Sequence, residues 1–94
     1  MSGKQPLFDL GMLYSTPGAS VALEKAHTDL QTVVARHVTG DWSEMAETDQ
    51  QANRRAVREG RRVFSAYRLS SGVKLWIITD ADRSETTLLL PDEY

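Results

Sequence analysis

The chain contains no cysteine in 94 residues, which excludes disulfides, thiolate nucleophiles and cysteine-bound zinc. It has two histidines, His27 and His37. They are ten residues apart and no His-Glu-x-x-His spacing joins them, so no metal site is expected. No apolar run approaches the roughly 20 residues that cross a bilayer. Met1–Pro6 is followed by no apolar signal core, so a cytoplasmic protein with no membrane partner is expected. Neither sign of charge dominates: 11 Lys and Arg stand against 13 Asp and Glu, for a net charge of −2. Binding nucleic acid through the whole surface normally takes a basic protein, so that class starts at a disadvantage. Phosphate-cradling glycine loops, nucleophile elbows and paired catalytic glutamates are also missing. No cofactor is expected, and no motif argues for an enzyme.

What is present suits one small globular domain spanning 1–94. Hydrophobic residues make up 40% and charged residues 26%, close to the globular norm. Residues 1–6 read as a frayed end. Leu7–Ser15 alternates Phe8, Leu10, Met12 and Tyr14 against Asp9 and Gly11, the period-two pattern of a half-buried strand. Thr16-Pro17 opens a helix, with threonine as cap and proline at the first helical position. His27-Thr28 interrupts the helical pattern. Thr28-Asp29-Leu30-Gln31 then reads as a capping box, followed by an apolar stripe of Leu30, Val33, Val34 and His37. Two short helices are therefore preferred over one kinked helix across 17–38. A second box at Thr48–Gln51 opens a helix through Glu59, which Gly60 stops.

The last third predicts strands at Val63–Leu69, Val73–Thr79 and Thr86–Leu90, with a hairpin turn at Ser70-Ser71-Gly72. Leu75-Trp76-Ile77-Ile78 is apolar at every position, as in a central strand covered on both faces. The expected fold is α+β: an N-terminal strand, two or three short helices, then a three-stranded antiparallel β-meander packed on the helices.

Four stretches are distinctive as a set. They are Thr16-Pro17-Gly18-Ala19, Arg36-His37-Val38-Thr39-Gly40-Asp41-Trp42, Leu75–Ser84 with its Thr79-Asp80-Ala81-Asp82-Arg83-Ser84 end, and Leu88–Tyr94. Together they resemble a family of small uncharacterised bacterial proteins carried on plasmids, phages and other mobile elements. The resemblance covers nearly the whole chain. It implies a bacterial, mobile-element origin and brings no established activity with it. Ser43 stands where that pattern has glycine, and Asp80 where glutamate is more usual.

Three clusters are candidates for binding. His37 and Asp41, at i and i+4, could form an acid–base pair beside Trp42. Because His37 lies on the apolar stripe, a buried histidine bonded to Asp41 or to backbone is the preferred reading. The Asp82-Arg83 turn could hold a ligand, but a charge pair within the turn or from Arg83 to Asp49 is preferred. Arg54, Arg55, Arg58, Arg61, Arg62 and Arg68 form the sharpest local charge excess, opposed by Glu59 alone. That cluster suits phosphate or an acidic protein, or simply a solvated helix end and strand edge. Trp42 and Trp76 could stack on a base or fill a partner's pocket; core or edge packing is the preferred reading for Trp76, while for Trp42 both readings stay open. A site, if formed, is expected where the end of the His37 helix, the Gly40-Asp41-Trp42 turn and the Asp82-Arg83 turn converge.

Two functions follow from this reading. The preferred one is a non-catalytic accessory protein, monomeric or homodimeric, that binds a host or element-encoded protein. Nucleic acid through Arg54–Arg68 is not favoured as its partner. The alternative is a ribonuclease toxin of the RelE/ParE type, whose element order is similar. Arg62, Tyr67, Arg68 and Arg83 would then supply the site.

Overall fold

A computed structural model describes residues 5–94. Three helices and four strands follow one another as β1 (Met12–Ser15), α1 (Pro17–Lys25), α2 (Leu30–Thr39), α3 (Glu47–Glu59), β2 (Val63–Arg68), β3 (Lys74–Thr79) and β4 (Glu85–Leu89), closed by a 3₁₀ turn at Pro91–Glu93. The α+β class is as expected. The three C-terminal strands form the expected antiparallel meander, but the sheet is not that meander alone: it has four strands in the order β1-β4-β3-β2 and is mixed. β2–β3 and β3–β4 pair antiparallel, while β1 returns to lie parallel to β4, with Leu13 opposite Thr86. Three intervening helices give the long crossover that a parallel pair needs.

The first strand is shorter than its alternation predicts. Gly11 adopts φ +66°, and a Cβ there would run into the backbone of Ser84 and Arg83. The strand therefore begins at Met12, after a left-handed residue that only glycine adopts at no cost. Phe8 and Leu10, which precede it, pack instead against the two core clusters. Of the frayed end expected at 1–6, residues 1–4 lie outside the described residues; Gln5 and Pro6 have no regular secondary structure.

The two-helix reading holds, with both caps displaced or confirmed locally. Thr16 caps α1 by accepting from the Ala19 N–H at 3.1 Å, and Pro17 is the first helical residue. Asp29, not Thr28, caps α2 through the Gln31 N–H at 3.2 Å. The box expected at Thr48 is likewise not used: α3 starts at Glu47 behind Ala46, with no side-chain cap. Gly60 closes α3 in the left-handed conformation, at φ +69°.

Strand phase sorts the sheet into two faces. Tyr67, Leu75, Ile77 and Leu88 point toward α1 and α2 and bury against Ala19, Ala22, Leu23, Val33 and Val34. Val63, in the same phase, meets Ala56 of α3 and Trp42. All three helices thus cover one face. The opposite phase carries Phe64, Ala66, Lys74, Trp76, Ile78, Thr87 and Leu89, of which Ile78 and Leu89 are buried and the others are not. Trp76 belongs to this second face, so the expectation that β3 is covered on both sides holds only in part. The aromatic rings of Phe64, Trp76 and the C-terminal Tyr94 meet edge to face along it, with centroids 5.1 and 5.7 Å apart.

Candidate functional site

Helix α2 carries His37 into the core at 0% exposure. Its Nδ1 lies 2.6 Å from the Ser65 hydroxyl and its Nε2 2.9 Å from that of Thr79. Thr79 in turn lies 2.7 Å from Thr86, whose hydroxyl donates to the Leu10 carbonyl at 2.7 Å. A carbonyl only accepts, so the proton order along this chain is determined. Thr86 gives its proton to Leu10 and accepts from Thr79. Thr79 accepts from His37 Nε2–H, leaving Nδ1 to accept from Ser65. Burial, aided by the charge of Arg83, lowers the His37 pKa to about 3. The imidazole is a neutral rivet between α2 and two strands.

Asp41 is turned away from His37. Its carboxylate accepts from Arg36 Nε at 2.7 Å, and the same guanidinium reaches Glu44 at 3.0 Å. That hydrogen bond is the main reason the Asp41 pKa is lowered. Arg36 also sits 4.6 Å over the ring of Tyr67, whose hydroxyl donates to the Asp41 carbonyl at 2.9 Å. Burial raises the Tyr67 pKa to about 12. Trp42 is 2% exposed and donates from its indole to the His37 carbonyl. The acid–base pairing of His37 with Asp41 is therefore not formed, and Trp42 is a core residue.

Arg83 pairs with no acid at Asp49 or Asp82. It adopts φ +60° and donates to the carbonyls of Arg61 (2.6 Å), Ala56 (3.2 Å) and Asp80 (3.2 Å), with its guanidinium 5.3 Å from the Phe8 centroid. Phe8 also meets His37 edge-on at 5.3 Å. The α2 end and the Asp82-Arg83 turn thus do converge, but on a phenylalanine that seals them. The Asp82 carboxylate accepts from the Ser84 N–H at 3.0 Å and closes its own turn. Among the described residues no three His, Asp or Glu side chains gather as a metal site.

The arginine cluster is divided. Arg54 reaches Glu47 at 3.1 Å, Arg61 reaches Glu59 at 2.9 Å and Arg62 donates to the Tyr94 hydroxyl at 3.1 Å. Arg55, Arg61 and Arg62 line one hollow together with Glu59. Arg58 is exposed on α3, and Arg68 stands at the far end of β2. The four residues of the toxin reading are also dispersed. Tyr67 is buried on the helix face and Arg83 is held by three carbonyls, while Arg62 and Arg68 are exposed at opposite ends of β2.

What the fold leaves open is a groove of about 750 Å³ along the outer edge of β2. One wall is the start of α3 and the turn before it, with Glu44, Met45, Ala46 and Asp49; the floor is Phe64, Ala66 and Trp76, with Arg68 and Lys74 on the facing rim. Above and below its centre the strand edge is closed by side chains. Asn53 donates to the Phe64 carbonyl at 2.6 Å and accepts from its N–H at 3.2 Å. Glu44 accepts from the Arg68 N–H at 2.8 Å. Backbone groups alternate sides along a strand, so the N–H and C=O of Ala66, between those two, also point outward. Neither has a hydrogen-bond partner among the described residues.

Sequence reasoning placed the site elsewhere and missed this one. The available signal was strand phase: Phe64, Ala66 and Trp76 are out of step with Val63, Ser65, Tyr67, Leu75 and Ile77. The contribution of Glu44 and Asp49 needed the tertiary structure. No family model, curated protein or solved structure matches this chain.

Proposed function

We propose that this chain is a non-catalytic protein-interaction module that takes an extended segment of a partner protein in the groove beside β2. The observation that carries this reading is the open peptide group of Ala66, set on an aromatic floor of Phe64 and Trp76. An unpaired N–H and C=O on a strand edge is satisfied by another main chain, which is how edge-strand recognition obtains its affinity. The flanking rims carry both signs, Glu44 and Asp49 on one side and Arg68 and Lys74 on the other. A mixed rim suits a polypeptide better than the uniformly anionic backbone of a nucleic acid. The side chains first singled out for chemistry, His37, Asp41 and Arg83, are already engaged inside the protein. The partner is a host or element-encoded protein, a bacterial mobile-element origin being what the four sequence stretches support.

The test is capture from bacterial lysate by the tagged full chain, beside Trp76→Ser and Ala66→Pro variants whose folding is checked by circular dichroism. Of the β2 hydrogen-bonding groups, proline at 66 removes the outward N–H and none that bonds to β3. A protein held by the wild type and released about thirtyfold or more faster by either variant is expected, as for an aromatic anchor. The same proteins retained by all three chains, or none by the wild type, would refute the groove as the site. Induced expression serves as the second arm. Growth arrest with RNA cleavage, relieved by Arg62→Ala with Arg68→Ala, would replace this reading with the ribonuclease toxin.

A further inference from the structure

The two ends of the sheet are treated differently. At the β2 end, Asn53 and Glu44 close the edge on either side of Ala66. At the β1 end nothing comparable is found among the described residues. Met12 and Thr16 turn their N–H groups inward, to the carbonyls of Ser84 and Leu88 at 3.0 Å. By alternation Leu13 and Ser15 turn theirs outward, where no backbone group among the described residues meets them. Natural edges are normally guarded by a charge, a proline or a bulge. Met12-Leu13-Tyr14-Ser15 has none of these.

The side chains of this edge are also uncovered. Met12 is 63%, Leu13 37% and Tyr14 48% exposed. Three consecutive large apolar residues in the open are unusual unless something covers them. They lie on both faces of the sheet: Leu13 shares the helix side with Thr86, while Met12 and Tyr14 stand beside Glu85 and Thr87 on the other. A partner lying on one face would cover only half of them. A second sheet edge, continuing this one, covers both.

We infer that β1 pairs antiparallel with β1 of a second copy about a two-fold axis, joining two four-stranded sheets into one of eight. The strand is suited to itself because it carries no charge, so no like charges are opposed by the two-fold. With the axis at Tyr14, Leu13 and the second copy's Ser15 exchange both main-chain bonds, and so do Ser15 and the second copy's Leu13. The two Tyr14 residues then form the close, non-hydrogen-bonded pair at the centre. Because β1 and β2 are opposite ends of the sheet, both Ala66 grooves stay open in such a dimer.

The experiment is the molar mass of the full chain in solution by light scattering, over a concentration series. Twice the monomer's 10.5 kDa is expected, returning to the monomer value in Leu13→Pro, which deletes one outward N–H and no inward bond. Since the chain lacks cysteine, Tyr14→Cys supplies a second readout. A close cross-strand pair has the Cα separation a disulfide needs, so mild oxidation should link two chains, whereas a Val21→Cys control should not link. A wild-type monomer at every concentration, or a dimer that survives Leu13→Pro, overturns the inference. Should Leu13→Pro fail to fold, the disulfide decides: a Tyr14→Cys chain that does not link overturns it.

Discussion

His37 shows how one buried polar side chain determines the behaviour of its surroundings. Its neutral form satisfies Ser65 and Thr79, and burial lowers its pKa from 6.5 to about 3. The unfolded chain therefore binds this proton between pH 6.5 and 3 while the folded chain does not. The stability contribution is complete above the unfolded value and is lost as pH falls through that window. Between pH 7 and pH 5 the loss should be roughly 2 kcal/mol, measurable as a drop in the urea midpoint. The lowered carboxyl groups of Asp41, Asp82 and Glu93 also lose stability on acidification, but at lower pH, as it falls from their usual carboxyl values toward the lowered ones. A His37→Gln chain should lose this slope between pH 7 and 5, because the buried imidazole that takes up a proton only on unfolding is gone. An equal slope in both chains would show that another group is responsible. That His37 is buried was legible in its place on the α2 stripe. Its partners were not, since Ser65 and Thr79 are 28 and 42 residues away.

Among the elements, α3 does more for the sheet than its composition suggests. Most of its side chains are exposed, and only Asn53 and Ala56 are buried. Asn53 acts as a substitute strand for Phe64, offering both an acceptor and a donor to the β2 edge. Replacing it with Ala leaves two backbone groups beside the core without their partner. We expect Asn53→Ala to cost about 1–3 kcal/mol, read from chemical denaturation, and to raise the tendency of β2 to pair with other chains, read by light scattering. Unchanged stability would mean that water replaces the amide fully. The two capping corrections belong at this scale too. Thr28 and Thr48 fit the capping pattern, but the neighbouring residues Asp29 and Ala46 occupy the cap positions. A motif locates a helix start to within a residue or two, and packing decides the register.

At the scale of the molecule, the stretches that are distinctive in the sequence prove to touch. Thr16-Pro17-Gly18 meets the C-terminal Pro91–Tyr94 through Glu93. Its carboxylate accepts from the Thr16 hydroxyl at 2.5 Å, the Gly18 N–H at 3.2 Å and the Leu90 N–H at 2.8 Å. A Cβ at Gly18 would meet that carboxylate, so a larger residue there would displace Glu93 from the clamp. The bond from Thr16 is the main cause of the lowered Glu93 pKa. This clamp should therefore hold above the usual carboxyl value of 4.5 and weaken as pH falls below it. Glu93→Gln should lower the thermal midpoint at neutral pH, and the gap to wild type should narrow in acid. A constant gap would mean that the charge is immaterial. In the same way the Arg36–Trp42 stretch meets the Leu75–Ser84 stretch through His37 and Thr79.

The sequence by itself determined the class of fold, the break between the first two helices and the three C-terminal strands. Those depend on periodicity, caps and turns within a few residues, and such local preferences survived folding. It also showed which residues are unusual, though not what they do. Only the tertiary structure decided that β1 joins β4 in parallel, because strand pairing across three helices leaves no local mark. The same is true of the candidate site. Charge and spacing pointed to His37, Asp41 and Arg83, which the fold uses to join its own parts. The open peptide group at Ala66 and the bare edge at β1 were invisible, since whether a backbone group is paired depends on what the rest of the chain brings beside it.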